Sequence, residues 1–345
     1  ADSIIAWQLK HGRHNLPWQD PITPYRVWVS EIMLQQTQVE TVKGYFQRFM
    51  DAFPTVSDLA QAPLDDINAL WAGLGYYRRA YHLHETSKRV LEGHRGVFPT
   101  DPDILVTLPG IGKSTAHAIA SIAADAPYAI LDANVKRVLA RHFGMQEDVE
   151  KPVIKKELFA RAQTLMPDTN CRVYTQGMMD LGATICTKTP SCQFCPVRDT
   201  CQAFAQKTQH LIPKKRVKKP KPTKEKRFLY LTSQFQLCLT KRPPDGIWPN
   251  LWTLPEFDTL DDLLAFLPEQ VHTQLIPLPS RKHSFTHYHL ILHPYYLSVD
   301  SWPANRKQTH TWIDLDNHTQ YGMPAPIEKI VRSCIIDAKS FLELS

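Results

Sequence analysis

At Lys207 the chain changes character. Before it, apolar residues recur at helical spacing over residues 25–38, 64–74, 80–91 and 116–123. Breakers separate these runs at Asp20-Pro21, Phe53-Pro54, Ala62-Pro63 and Phe98-Pro99. After Phe228 the pattern is that of short strands, at 228–231, 235–239, 283–299 and 311–315, with helical runs at 260–266 and 325–341. Between the two textures, residues 207–227 hold ten Lys/Arg, one Glu, and Pro213, Pro220 and Pro222. That is the composition of an exposed connector, and one that attracts phosphates. A chain of 345 residues, 43% hydrophobic, with this division is expected to be multidomain. The expected parts are an all-α region over 1–205, a basic linker over 206–227 and a small α+β domain over 228–345.

The formal net charge of +6 is concentrated in the linker, and the rest of the chain is net negative. No stretch approaches a membrane span. Residues 1–10 lack the basic-then-apolar plan of a signal peptide and open without a methionine, so the expected location is the cytoplasm, with no membrane partner.

Four of the seven cysteines, Cys186, Cys192, Cys195 and Cys201, fall in one stretch with spacing C-x5-C-x2-C-x5-C. Cys171, Cys238 and Cys334 are scattered. Four thiolates on one loop can surround a metal centre with no ligand position left open, which makes the centre structural. Zinc and a [4Fe–4S] cluster both accept such a set, and spacing does not choose between them.

Upstream, Leu108-Pro109-Gly110-Ile111-Gly112-Lys113 precedes a helical run. Its glycines permit a tight turn and close ligand approach, and free N–H groups at the helix start suit a phosphate oxygen. Two carboxylates stand out. Glu31 interrupts the apolar run Val27-Trp28-Val29-Ser30-Glu31-Ile32-Met33-Leu34. It is either the exposed face of an amphipathic helix or a buried acid kept protonated by its surroundings. Asp132 precedes another helical run, where it can be an N-cap or can face a developing cation.

The 108–112 turn followed by Asp132 resembles the signature of the helix-hairpin-helix glycosylase superfamily. The cysteine cluster narrows that resemblance to the endonuclease III and MutY branch. Trp18 within Leu-Pro-Trp, and residues 30–39, 73–77 and 178–186, are similar to the MutY family of adenine glycosylases, and the likeness covers essentially the whole chain.

The resemblance implies a six-helix barrel over about 20–127 containing the hairpin, and an iron–sulfur module made of the N-terminal helix and 128–205. It selects the [4Fe–4S] cluster over zinc, although the first cysteine gap here is five residues where the family usually has six. It implies a monomeric, monofunctional enzyme of the bacterial nucleoid, removing adenine opposite 8-oxoguanine or guanine in double-stranded DNA. Glu31 would protonate the base, Asp132 would stabilise the sugar cation and Asn134 would orient Asp132. DNA contacts would come from Trp18, Gln36, Tyr76, Gly110, Gly112, Lys113, Ser114 and Lys136, with Gln36 and Tyr76 as wedges. Ser114 stands where bifunctional endonuclease III-like lyases carry a nucleophilic lysine; many MutY relatives have tyrosine there.

Residues 237–256 resemble part of a Nudix fold. A Nudix nucleotide hydrolase would need clustered glutamates in the pattern R-E-x-x-E-E. Glu256, Asp258, Asp261 and Asp262 do not form it, so hydrolase chemistry is excluded. A non-catalytic DNA scaffold would leave Glu31 and Asp132 unexplained. By resemblance, Phe285-Thr286-His287 corresponds to a Phe-Ser-His motif that reads 8-oxoguanine.

Overall fold

The computed structural model describes residues 1–214, 220–302 and 310–342, with side chains described as far as residue 335. Residues 215–219 of the basic connector therefore lie outside the described residues. Helices run in the order α1 (Asp2–His11), α2 (Pro24–Leu34), α3 (Val39–Ala52), α4 (Val56–Gln61), α5 (Leu64–Trp71), α6 (Arg78–His94), α7 (Pro102–Leu105), α8 (Lys113–Ala124), α9 (Ala133–His142), α10 (Pro152–Thr164), α11 (Cys171–Asp180) and α12 (Gln202–Ala205). A π-helical turn, Leu181–Ile185, continues α11. No described helix is long and apolar enough to cross a membrane.

The chain divides into two compact units, Ala1–Gln61 with His82–Lys218, and Ala62–Tyr81 with Lys219–Ser345. In the first, α8 packs against α2 and α11, and α1 packs against α11. Alanines at 116, 118 and 120 on α8 are buried and carry no bulk beyond Cβ, which lets neighbouring helices approach.

α2 starts where Thr23 accepts a hydrogen bond from the Arg26 N–H at 3.2 Å, with Pro24 in the first turn. It buries Val27, Trp28, Val29, Ile32 and Met33. The helical period of 25–38 stops at Leu34 rather than Gln38. Gln36 takes a left-handed backbone with φ of 59°, which no continuing helix tolerates.

In the second unit, β1 (Thr223–Ser233), β2 (Gln236–Lys241), β3 (Trp252–Thr253), β4 (Glu256–Phe257), β5 (Ile276–Pro277), β6 (Arg281–Ser284), β7 (His289–Ser298) and β8 (His310–Asp314) form one mixed sheet. The order β3-β2-β1-β7-β5 is extended by β4 on β1, β6 on β7 and β8 on β2. β1 and β7 are parallel from Thr223↔His289 to Thr232↔Ser298. Helix α13 (Leu260–Phe266), opened by a Thr259/Asp262 capping box, covers the sheet. Leu263 and Leu267 pack there against Leu229, Leu231, Cys238 and Leu297. A last helix, α14, spans Ala325–Leu342.

Two expectations change here. The basic connector is not irregular to its end, because its last residues open β1. The run 283–299 is not one strand. β6 pairs antiparallel with β7, Ser284 facing His289, so the chain must reverse between them. The Phe285 N–H donates to the Tyr288 carbonyl at 2.9 Å and closes that turn.

Candidate active site

Glu31 leaves α2 toward a cavity of about 300 Å³ that it lines with Trp18, Leu34, Val39, Gln176 and Met179. Its carboxyl keeps some accessible surface because it faces this cavity, yet protein encloses it. No ion pair or hydrogen bond to another described residue stabilises its charged form. Burial, and secondarily the charge of Asp132, raise its pKa from 4.5 to about 7. Of the two readings of Glu31, the geometry is that of the enclosed acid.

Trp18 is buried, with its ring edge-on to Phe46 at 5.6 Å, and forms a wall of the cavity. Two wall residues had no sequence signal. Arg13 holds the fully buried Asp180 through its backbone N–H and its Nε, each at 2.8 Å. Gln176 donates to the same carboxylate at 2.8 Å. The pair is 167 residues apart in sequence, so no local pattern reports it.

Asp132 is the N-cap of α9: its Oδ1 accepts from the Val135 N–H at 2.7 Å. Its other oxygen accepts from the Asn134 amide at 3.3 Å, and Asn134 in turn accepts from Arg137 at 2.8 Å. Burial raises the Asp132 pKa, opposed by the hydrogen bonds from Val135 and Asn134 and by the Arg137 charge. Capping and proximity to Glu31 thus coexist in one side chain.

In the hairpin, Gly110 has φ of 75°, and a Cβ there would meet His82 at 2.8 Å. Thr86 donates to the Pro109 carbonyl at 2.8 Å and ties the turn to α6. Gly112 caps α8 and is exposed. Lys113 lies over the Phe159 ring at 4.6 Å, and Ser114 Oγ accepts from the Leu131 N–H at 3.3 Å. Lys136 forms an ion pair with Glu150. None of these contacts turns an amine on Asp132.

The comparisons bear directly on this arrangement. A family model described as HhH-GPD superfamily base excision DNA repair protein matches residues 29–162, and a NUDIX domain model matches 227–333. An adenine DNA glycosylase of Buchnera aphidicola (subspecies Schizaphis graminum) is 38% identical over 334 residues, covering 95% of this chain and 96% of that protein.

The chain belongs to the adenine DNA glycosylase family.

Among solved structures, a thermostable thymine-DNA glycosylase is 29% identical with a TM-score of 0.54, covering 59% of this chain and 94% of that one. An endonuclease III–DNA complex, 21% identical with a TM-score of 0.51 over 60% of this chain and 94% of that one, shares the fold.

In this member of the adenine DNA glycosylase family, Cys186, Cys192, Cys195 and Cys201 line one small cavity. Arg141 donates to Cys186 Sγ at 3.3 Å. Burial raises the pKa of Cys192 and pushes Cys195 up to about 11, and neighbouring thiols add to both. Two further side chains on the cavity, His142 and Gln209, each hold a buried polar atom, Nδ1 and Oε1, without a hydrogen-bond partner among the described residues. No three His, Cys, Asp or Glu side chains among the described residues converge on a single metal ion.

Gln36 and Tyr76 are both exposed, with left-handed backbones of φ 59° and 50°. Strained residues of this kind are held by their surroundings and concentrate at functional surfaces. In the other unit's sheet, Thr286 and His287 are exposed at the β6–β7 turn, and Phe285 is half-buried.

Proposed function

We propose that this protein hydrolyses the N-glycosidic bond of adenine mispaired with 8-oxoguanine or guanine in double-stranded DNA. The observation that carries the reading is a carboxylic acid with its pKa near 7 facing a cavity of about 300 Å³, with a second carboxylate beside it. Adenine flipped out of the stack would enter this cavity. Glu31 donates its proton to N7, so the base leaves neutral. The C1′–N9 bond breaks with oxocarbenium character, and Asp132 stabilises that cation by charge or by a covalent bond. Water completes the hydrolysis, deprotonated by the now ionised Glu31.

Monofunctional chemistry is supported by the hydroxyl of Ser114 at the lyase position and by the Lys113 and Lys136 contacts. The test is a panel of duplexes with A opposite 8-oxoguanine, A opposite G, and thymine glycol opposite A. We expect excision from the first two, fastest for the first, with the abasic strand left intact until base or heat is applied. Dominant cleavage of thymine glycol, or nicking as fast as base removal, contradicts the proposal.

The 8-oxoguanine preference would reside in the β6–β7 turn. The oxidised base carries a proton on N7 where guanine has a lone pair, and an oxygen on C8. The Thr286 hydroxyl can accept from N7–H and donate to O8. A good paired contact discriminates by about 1–3 kcal/mol.

Cys186, Cys192, Cys195 and Cys201 would hold a [4Fe–4S] cluster, a structural element that anchors the loop after α11. Four thiols around one cavity can ligate such a cluster, and the choice of the cluster over zinc is the one the family resemblance implies. Elemental analysis should find iron and acid-labile sulfide, with broad visible absorbance. Stoichiometric zinc without iron would reject the assignment.

A further inference from the structure

We propose that Asn68 and Tyr77 couple the β6–β7 turn to the exposed Tyr76, so that reading the base opposite the adenine and wedging the duplex are one mechanical event. The inference rests on the proposed roles of Thr286 and Tyr76. It comes from the packing of the second unit, in which Ala62–Tyr81 clusters with Lys219–Ser345.

The Phe285 ring lies 5.4 Å from that of Trp248, which also meets His283 at 5.7 Å. Trp248 is buried and begins a tight turn, its carbonyl accepting from the Leu251 N–H at 3.3 Å. Within that turn the Asn250 carbonyl accepts from the side chain of Asn68 on α5 at 3.4 Å. Asn68 is 3% exposed, so the contact is sheltered from water.

A second tie runs beside the first. The Tyr77 hydroxyl accepts from the Gly73 N–H and donates to the Met323 carbonyl, each at 3.1 Å. Gly322, next to Met323, takes the Trp252 N–H on its carbonyl at 3.0 Å. It sits so close to α5 that a Cβ would lie 2.7 Å from the Asn68 carbonyl carbon.

From α5 onward the wedge loop is rigidly built. The Trp71 indole and the Arg79 guanidinium both donate to the Gly75 carbonyl, at 3.1 and 3.0 Å. Arg79 also lies over the rings of Trp71 and Tyr76 at 5.3 and 5.4 Å. Tyr76 itself is 48% exposed in a left-handed backbone. A chain of packed rings, buried amides and backbone hydrogen bonds thus runs from Phe285 to Tyr76 without leaving the unit. Spatial continuity alone does not establish coupling; a double-mutant cycle does.

The full-length protein is compared with Tyr77→Phe, Thr286→Val and the double variant. The quantity read is the ratio of single-turnover excision rates for A opposite 8-oxoguanine and A opposite G. Tyr77→Phe keeps the buried ring and removes only the hydroxyl. It should lower the ratio about threefold to tenfold, the range of one hydrogen bond's net worth. The double variant should fall no further than Thr286→Val alone. Quenching of a 2-aminopurine beside the target should weaken in parallel, reporting a displaced Tyr76. Gly322→Ala presses on the same contact from the other side and should act in the same direction, a second route if Tyr77→Phe folds poorly. Multiplicative effects of Tyr77→Phe and Thr286→Val, or equal loss on both duplexes with the ratio kept, overturn the coupling alone. A wild-type protein with no preference between the duplexes overturns the lesion reading and the coupling with it.

Discussion

Glu31→Gln is expected to lower single-turnover excision by about 10²–10⁴-fold, the contribution of a positioned general acid, while duplex binding is retained. Glutamine matches glutamate in shape and hydrogen-bonds comparably, so it leaves α2 and the cavity wall in place and removes only the transferable proton. The same side chain predicts the pH dependence. Burial first, and the Asp132 charge second, hold its pKa at about 7, so the proton-donating form is present at neutral pH and disappears above it. The wild-type rate should decline as pH rises through about 7, and the residual rate of Glu31→Gln should not follow that decline. Stability carries the same sign. The folded-state value lies above the ordinary 4.5, so this group's contribution is fully present below pH 4.5 and is lost as pH climbs through about 7. Glu31→Gln should therefore melt at least as high as wild type at about pH 8, where the folded wild type encloses a charged carboxylate and the variant a neutral amide. Near-normal rates across this range would make Glu31 a wall of the cavity and nothing more.

The helices of the first unit were legible because their burial is local. The apolar period in 80–91 and 116–123 states which face turns inward, and α6 and α8 lie there. Asp132 was legible as an N-cap for the same reason: a cap is a relation between residues three apart. Less visible were features decided by tertiary context. The stop of α2 at Leu34 coincides with the backbone reversal at Gln36; residues 35–38, Gln-Gln-Thr-Gln, are all polar, which ends the apolar stripe but does not by itself tell a helix end from a solvated helix turn. Residues 283–299 have uniform β preference, and only the antiparallel pairing of β6 with β7 forces the turn that exposes Thr286 and His287. Nothing in the sequence near Arg13 points to Asp180, and nothing near Asn68 points to Asn250; both pairs are made by folding across more than 150 residues. The packing of residues 62–81 on the C-terminal sheet also bears on experiment. Truncation near Phe228 would remove the surroundings of α5 and of the Tyr76 loop along with the β6–β7 turn, so point variants separate the roles proposed for the two loops where truncation does not.

Asp132→Asn should lower excision by about 10²–10³-fold, in the range seen when a charge-stabilising group is removed from a transition state. In the proposed mechanism Asp132 has two jobs, and asparagine divides them. As the N-cap of α9 it accepts the Val135 N–H through one oxygen, a task asparagine performs equally well. As an anion it would face the forming cation, a task a neutral amide cannot perform. One local cost accompanies the substitution. The Asn134 amide presents its NH₂ to the second Asp132 oxygen, because its own oxygen is occupied by Arg137 at 2.8 Å. A new NH₂ placed there would meet a donor, and Asn134 cannot flip without losing Arg137. That repulsion is a single weak contact and does not reach the size of the expected rate loss. Asp132→Ala separates the jobs the other way, since it removes the cap as well and should cost about 1 kcal/mol of stability. Thermal melts and single-turnover rates on both variants give the decisive pattern. Capping alone predicts that the asparagine variant keeps its rate and the alanine variant loses stability. Catalysis predicts that both lose the rate, while only alanine lowers the melting temperature appreciably.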